Sequence, residues 1–92
     1  MLTQTQREEL RTAVREVLVA AGTVAFASDV IARRVARLQI LDFEFAPFDI
    51  EAALVFLAGM EPAQAMVHPH ALGATKYYQA TAAGVLAHER GA

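Results

Sequence analysis

Apolar residues recur with the period of an α-helix in three separate segments of this chain, and this repetition constrains its fold more than any other feature. In each segment a spacing of three or four residues places the apolar side chains on one helical face. The three faces are Leu10, Val14, Val17, Leu18 and Ala21; Ile31, Val35 and Leu38; and Ile50, Ala53, Leu54 and Leu57. Helices with one apolar face bury it against one another, so the pattern predicts a three-helix core.

Capping residues and a glycine indicate where the first two helices begin and end. Thr3 or Thr5 can cap the first helix in the reciprocal capping-box pattern, and Gly22 ends it. Ser28-Asp29 offers caps for the second helix, which we expect over about residues 28–38.

The third helix follows a segment of unusual pattern. Leu41–Phe45 alternates apolar and acidic residues, which predicts a strand or an extended connector. Pro47 suits the first turn of the third helix, Asp49 is an alternative cap, and Gly59 closes the helix.

Short β-forming segments complete the element order. Thr23–Phe26 predicts one small strand between the first two helices. Ala63–Val67 and Thr75–Gln79 flank a turn-rich tip at His68–Ala74 and predict a hairpin. Thr81 then caps a last helix. We therefore expect an α+β fold that is mainly helical, formed by a single domain over residues 1–92.

Composition narrows the class of protein. The hydrophobic content of 55% is high for a domain of 92 residues. A domain of this size buries only about 60–65% of the surface of its unfolded chain, so some apolar side chains are expected to stay at the surface. A partner chain would cover them, and we expect a homodimer. The N-terminus has polar and acidic residues where a signal peptide needs basic and apolar ones, no segment is long and apolar enough to span a membrane, and cysteine is absent. These features predict a cytoplasmic protein without a membrane segment.

The end of the chain resembles a known family. Gly73–Gly84 reads GATKYYQATAAG, which is similar to the G…KYY.LT..G tail of bacterial regulators of the PadR and MarR types. The element order also resembles the winged helix-turn-helix superfamily of DNA-binding domains. This resemblance implies a three-helix core with a short strand, a β-hairpin wing and a C-terminal helix. In such domains the third helix enters the major groove and the wing contacts the backbone or the minor groove.

Two features depart from that family pattern. About eight residues, Gln39–Ala46, separate the second and third helices, where three or four are usual. The third helix carries Asp49 and Glu51 but no Arg, Lys, Asn or Gln. DNA-binding proteins contact phosphates through Lys and Arg and read bases through Arg, Lys, Asn and Gln. The third helix therefore has no obvious residue that could read a DNA sequence.

The side of the third helix opposite its core stripe is also apolar. At 100° per residue it contains Phe48, Ala52, Val55 and Phe56. We interpret this side as an interface with another chain, and burial under the Leu41–Phe45 connector is the alternative.

Basic residues collect on the second helix. Arg33, Arg34 and Arg37 fall on the side opposite its core stripe, and Lys76 lies on the wing. These four are the candidate nucleic-acid contacts, with Arg7, Arg11 and Arg15 of the first helix as further candidates. The alternative is a solvated face that pairs with Asp29, Asp42 or Glu44.

Catalysis and metal binding find little support in the sequence. His68-Pro69-His70 is typical of an exposed turn, and metal sites need three or four ligands, so we expect no metal and no cofactor. The chain has no cysteine nucleophile, its five glycines form no phosphate loop, and its carboxylates are spread along one segment. We therefore do not expect an enzyme.

Three functions remain, with DNA binding as the main prediction and a subunit or fragment of a larger assembly as the third. The first is a small, dimeric winged-helix protein that binds double-stranded DNA mainly through its backbone, as a bacterial or phage transcriptional regulator. The second is a winged-helix protein–protein interaction or dimerisation module that does not read a DNA sequence. The third helix favours the module, whereas the family resemblance favours DNA.

Overall fold

The structure, a computed structural model, describes residues 1–69 and 73–91 of the chain. In these residues four helices and three strands form a small α+β fold that is mainly helical. Their order is α1 (Gln4–Ala21), β1 (Phe26–Ala27), α2 (Ser28–Leu38), α3 (Pro47–Ala58), β2 (Ala65–Val67), β3 (Tyr77–Ala80) and α4 (Ala82–Glu89). The predicted succession of helix, strand, helix, helix, hairpin and helix is confirmed.

The ends of α1 follow the predicted signals. The Thr3 hydroxyl accepts a hydrogen bond from the Gln6 backbone N–H at 3.1 Å, and the Gln6 side chain accepts one from the Thr3 N–H at 3.0 Å. This reciprocal capping box satisfies two backbone donors that a helix start leaves without partners. Gly22 ends the helix at a φ of 64°, a conformation that glycine adopts without steric cost.

The predicted caps of α2 and α3 are wrong. Ala27 precedes α2 without a side-chain cap, because strand β1 runs directly into the helix and makes Ser28 its first residue. Ala46 precedes α3, and Pro47 is in the first turn as predicted. The Asp49 carboxylate acts from within that turn, where it accepts a hydrogen bond from the Ala46 N–H at 2.7 Å.

The three strands form one antiparallel sheet in the order β1-β3-β2. Phe26 of β1 and Val67 of β2 both pair with Tyr78, so β3 lies in the middle. The strand predicted at Thr23–Phe26 is wrong except for Phe26, because the Val24 N–H bonds to the Ala21 carbonyl and keeps the chain in a turn after α1.

The hairpin is present with shorter strands than the sequence predicts. β2 begins at Ala65 instead of Ala63, and β3 runs over Tyr77–Ala80 instead of Thr75–Gln79. Part of the predicted turn-rich tip, residues 70–72, lies outside the described residues.

The core contains the three predicted helical stripes, except that Leu38 is only partly buried and Ala21 is not a member. Its buried members are Leu10, Ala13, Val14, Val17, Leu18, Ile31, Val35, Ile50, Ala53, Leu54, Leu57, Ala65 and Tyr78. The Leu41–Phe45 segment forms no strand and is a connector, as the second of the two predicted alternatives had it, but with a bend at Asp42–Phe43. Its apolar residues pack against the core while Asp42 and Glu44 point to solvent, which explains the alternation in the sequence.

Helix α4 docks through a close backbone approach. The Thr81 hydroxyl caps it by accepting from the Gly84 N–H at 3.0 Å, as predicted, and also donates to the Ala63 carbonyl. A Cβ at Gly84 would overlap the Gln64 backbone carbonyl. Only glycine lets α4 lie this close to the segment before β2.

Candidate interaction surface

The outer side of α3 is an exposed apolar surface. Phe48 is 65% exposed, Val55 64% and Phe56 46%, and Ala52 between them is also exposed. These four residues are called the α3 face below. The connector does not bury them, so the alternative that they are covered by Leu41–Phe45 is wrong. Folding leaves two aromatic rings of one helix in contact with water.

Helix α1 borders the α3 face with two arginines. The Arg11 guanidinium lies 3.5 Å from the centroid of the Phe56 ring, a cation–π contact. Arg7 and Arg11 line a shallow groove together with Asp49, Ala52 and Phe56. The Arg7 guanidinium also donates to the Leu2 carbonyl at 3.0 Å, which holds its side chain at this place. Because Asp49 lies in the same groove and the exposed Glu8 lies beside Arg11 and Phe56 in the next one, this border carries charges of both signs.

The opposite border of the α3 face carries a negative charge. Glu51 is exposed and lies about 140° around the helix from Phe56, on the far side of the face from α1. Burial and the charge of Glu51 raise the pKa of the Tyr78 phenol. Glu51 therefore marks the acidic edge.

The arginines of α2 form a second surface. Arg33, Arg34 and Arg37 are all exposed, as predicted. Arg33 pairs with Asp29 at 3.6 Å, which is one of the pairings that the solvated-face interpretation predicts, and both side chains are largely in water. The Arg34 guanidinium lies 4.4 Å from the centroid of the Phe26 ring. In the described part of the chain no ion pair joins these arginines to Asp42 or Glu44.

Lys76 lies near the first residues of α2, at the end of the arginine surface away from Arg37. It is exposed and directly precedes Tyr77, which pairs with Ala27 next to the start of α2. Arg37 lies in the last turn of α2, about 14 Å further along the helix axis. The four predicted nucleic-acid contacts are therefore spread along α2 and do not converge on one point.

The prediction that Arg15 is a further candidate for nucleic-acid contact is wrong. Its side chain is buried, at 6% exposure, and its guanidinium donates to the Gln64 side-chain oxygen at 3.0 Å. Burial lowers the pKa of this guanidinium. Arg15 connects α1 to the segment before β2. Its position about 60° from Leu18 around α1 is the signal that places it next to the core.

The described residues offer few alternatives to these surfaces. They contain no group of three or more His, Asp or Glu side chains that could hold a metal ion, and the predicted exposed turn at His68-Pro69-His70 lies partly outside them. In the same residues no helix is long and apolar enough to cross a membrane.

Comparison with known proteins adds no relative. No protein family, curated protein or solved structure matches this chain. Its function has to be inferred from the α3 face, with its charged borders, and from the arginines of α2.

Proposed function

We propose that this chain is a winged-helix protein–protein interaction module that binds another protein chain through the α3 face and carries out no catalysis. The observation that carries the proposal is the exposure of Phe48 and Val55, at 65% and 64%, on a helix whose other side is already buried. A solvated helix keeps its outer side polar, whereas a helix that meets a partner does not. Aromatic residues are enriched in protein interfaces for the same reason.

Two lines of support favour the winged-helix assignment. The order helix, strand, helix, helix, hairpin and helix is that of the winged-helix family, and β1 joins the hairpin through β3 into one sheet. The Gly73–Gly84 tail adds the similarity in sequence. In this assignment α3 is the helix that would otherwise read DNA.

The chemistry of α3 favours a protein over DNA as its partner. Pro47–Ala58 contains Asp49 and Glu51 and neither lysine nor arginine. A phosphate backbone would meet negative charge and exposed phenyl rings there, so docking would lose attraction without gaining contacts to bases. An apolar protein surface would instead remove Phe48, Val55 and Phe56 from water.

Photo-crosslinking from the α3 face tests the proposal. A photoreactive benzoylphenylalanine replacing Val55, in cells of the organism that encodes the chain, should give a covalent protein adduct on irradiation. Val24, which is 55% exposed and lies after α1, is the matched control position and should give none. Failure of position 55 to give an adduct, or equal adducts from both positions, would contradict the proposal.

The exposed arginines of α2 favour DNA binding as a second candidate function. In that case the chain is a winged-helix regulator of bacterial or phage type in which Arg33, Arg34, Arg37 and Lys76 contact phosphates. Such contacts orient a protein on the duplex without specifying its sequence. With four phosphate contacts, the logarithm of the binding constant should fall with the logarithm of salt concentration at a slope of about −3.6.

Fluorescence anisotropy with random duplex DNA separates this candidate from the first. Binding at ~20 mM salt that weakens equally for all sequences when Arg33, Arg34 and Arg37 are changed to glutamine would support it. Absence of binding at that salt concentration would exclude it, because counterion release favours binding most at low salt.

A further inference from the structure

We infer that a groove between the C-terminal halves of α1 and α2 binds a small zwitterion, a free α-amino acid with an apolar side chain. The inference goes beyond the proposed function, because no residue that lines this groove belongs to the α3 face. The groove has a volume of about 320 Å³, which is within the range of small-molecule sites. Charged groups of both signs and an apolar floor line it: Glu16, Val17 and Ala20 of α1, and Arg34, Arg37 and Leu38 of α2.

The floor of the groove is apolar. Val17 is a buried member of the core, and Leu38 is partly buried against the core. Ala20 has only a methyl group and is exposed, so it leaves the space between the two helices open. An apolar side chain of a ligand would leave water on this floor.

The α2 side of the groove offers two guanidinium groups. Arg34 and Arg37 are three residues apart, which places them on the same side of the helix. The Arg34 guanidinium lies 4.4 Å from the centroid of the Phe26 ring, and this stacking leaves the N–H groups at its edge available. Within the described residues neither arginine is part of an ion pair. Their N–H groups can therefore donate to a ligand carboxylate.

The α1 side of the groove carries the opposite charge. Glu16 is half-buried and lines the same groove as Arg34 and Arg37, yet in the described part of the chain no ion pair joins it to either of them. A ligand with only an anionic group would be repelled by Glu16, and one with only a cationic group would be repelled by the two arginines. A zwitterion satisfies both sides, because its carboxylate meets the arginines and its ammonium meets Glu16. Charge complementarity thus selects a ligand that has both signs, and the floor selects one with an apolar body.

Ligand analogues test the two charged contacts on the native chain. In an NMR titration followed through the backbone amides, L-leucine should bind with a Kd of about 1 mM or lower and shift the amides of Ala20 and Leu38. Isocaproate lacks the ammonium group of leucine, isoamylamine lacks its carboxylate, and both keep its apolar chain. Each should bind about tenfold more weakly than leucine or less, because each loses the hydrogen bonds of one charged group.

Charge-neutralising variants locate the site. Glu16→Gln and Arg37→Gln should each weaken leucine binding by about tenfold. Arg33→Gln is the matched control, because Arg33 is an exposed arginine of the same helix that pairs with Asp29 and does not line the groove. It should bind leucine as the native chain does, and circular dichroism shows whether each variant is folded.

Each outcome bears on the inference in a defined way. Weaker binding of both analogues and of both groove variants, with native binding in Arg33→Gln, supports it. Absence of amide shifts at ~10 mM leucine overturns it, and so does an analogue that binds as tightly as leucine. Equal weakening in Arg33→Gln would show that the ligand responds to the charge of α2 as a whole and would overturn the groove as its site. None of these results changes the crosslinking expected from position 55, so the inference and the proposed function fail separately.

Discussion

Single residues determine how the hairpin and α4 fit onto the helices, and Gly84 shows this most directly. The position is helical, so its intrinsic preference is for alanine by about 1 kcal/mol. Its surroundings oppose that preference, because the Gln64 carbonyl occupies the space that a Cβ would need. Packing and helix propensity therefore act in opposite directions at the same residue.

Gly84→Ala should lower the free energy of unfolding in spite of the better helix former. Overpacking against a fixed backbone group costs about 1–3 kcal/mol, which exceeds the gain in propensity. Urea denaturation followed by circular dichroism measures the change. The neighbouring Val85→Ala, at a more exposed position, should shift stability by less than about 0.5 kcal/mol. An alanine variant that is more stable than the native chain would show that α4 does not dock as described.

Tyr78 makes stability depend on alkaline pH. Burial and the charge of Glu51 raise its pKa above the value of about 10 that a tyrosine has in an unfolded chain. As the pH rises past about 10, the unfolded state loses its phenolic proton first and is favoured, so the free energy of unfolding falls. Tyr78→Phe should flatten this fall, measured by urea denaturation from pH 8 to 11. Tyr77→Phe, at the exposed neighbour, is the matched control for the loss of a phenol hydroxyl.

At the scale of the element, two threonine caps carry different structural weight. Thr3 begins α1 at the end of the chain and bonds only within its own first turn. Thr81 begins α4, and its hydroxyl also donates to the Ala63 carbonyl, so it holds the helix against the segment before β2. The Thr3 hydroxyl thus makes only a local contact, whereas the Thr81 hydroxyl also makes a tertiary contact.

Thr81→Ala should therefore destabilise the protein more than Thr3→Ala. Loss of a cap alone costs about 1 kcal/mol, and a carbonyl left without its donor adds about 1–3 kcal/mol. Thermal unfolding of both variants measures the difference, and Thr81→Ser, which keeps the hydroxyl, should restore most of the loss. Equal effects of the two alanine variants would argue against the bond to Ala63.

At the scale of the whole molecule, the homodimer that the sequence predicts would make stability a function of protein concentration. If the native dimer dissociates on unfolding, the midpoint of thermal unfolding rises with concentration by mass action. We expect this rise between ~5 µM and ~500 µM, and we expect it to vanish in Val55→Glu, which places a charge in the middle of the α3 face. A midpoint that is independent of concentration in the native chain would contradict a dimer coupled to folding.

The sequence predicts the features that follow from the spacing of apolar residues along a helix. It does not predict contacts between residues that are far apart in the chain. The core stripes of α1, α2 and α3 follow from spacing alone, and so does the exposure of Phe48, Val55 and Phe56. The range of α2 was also predicted, but its cap was not, because β1 continues into the helix and Ala27 precedes it without a side-chain hydrogen bond.

The helical position of Arg15 signals that it lies next to the core, but its hydrogen-bond partner could not be predicted, and neither could the close approach at Gly84. Both involve Gln64, which lies 49 residues after Arg15 and 20 residues before Gly84. No local pattern connects residues so far apart. The arginines beside the α3 face likewise appear only when α1 is placed next to it.

The lengths of the outer strands limit how far such molecules can associate. β1 has two residues and β2 has three, so both borders of the sheet offer very little backbone for strand addition by a neighbouring molecule. Edge-to-edge pairing of sheets is therefore disfavoured in a chain that is rich in apolar residues. We expect any association of this chain to use helical surfaces such as the α3 face, and not the borders of the sheet.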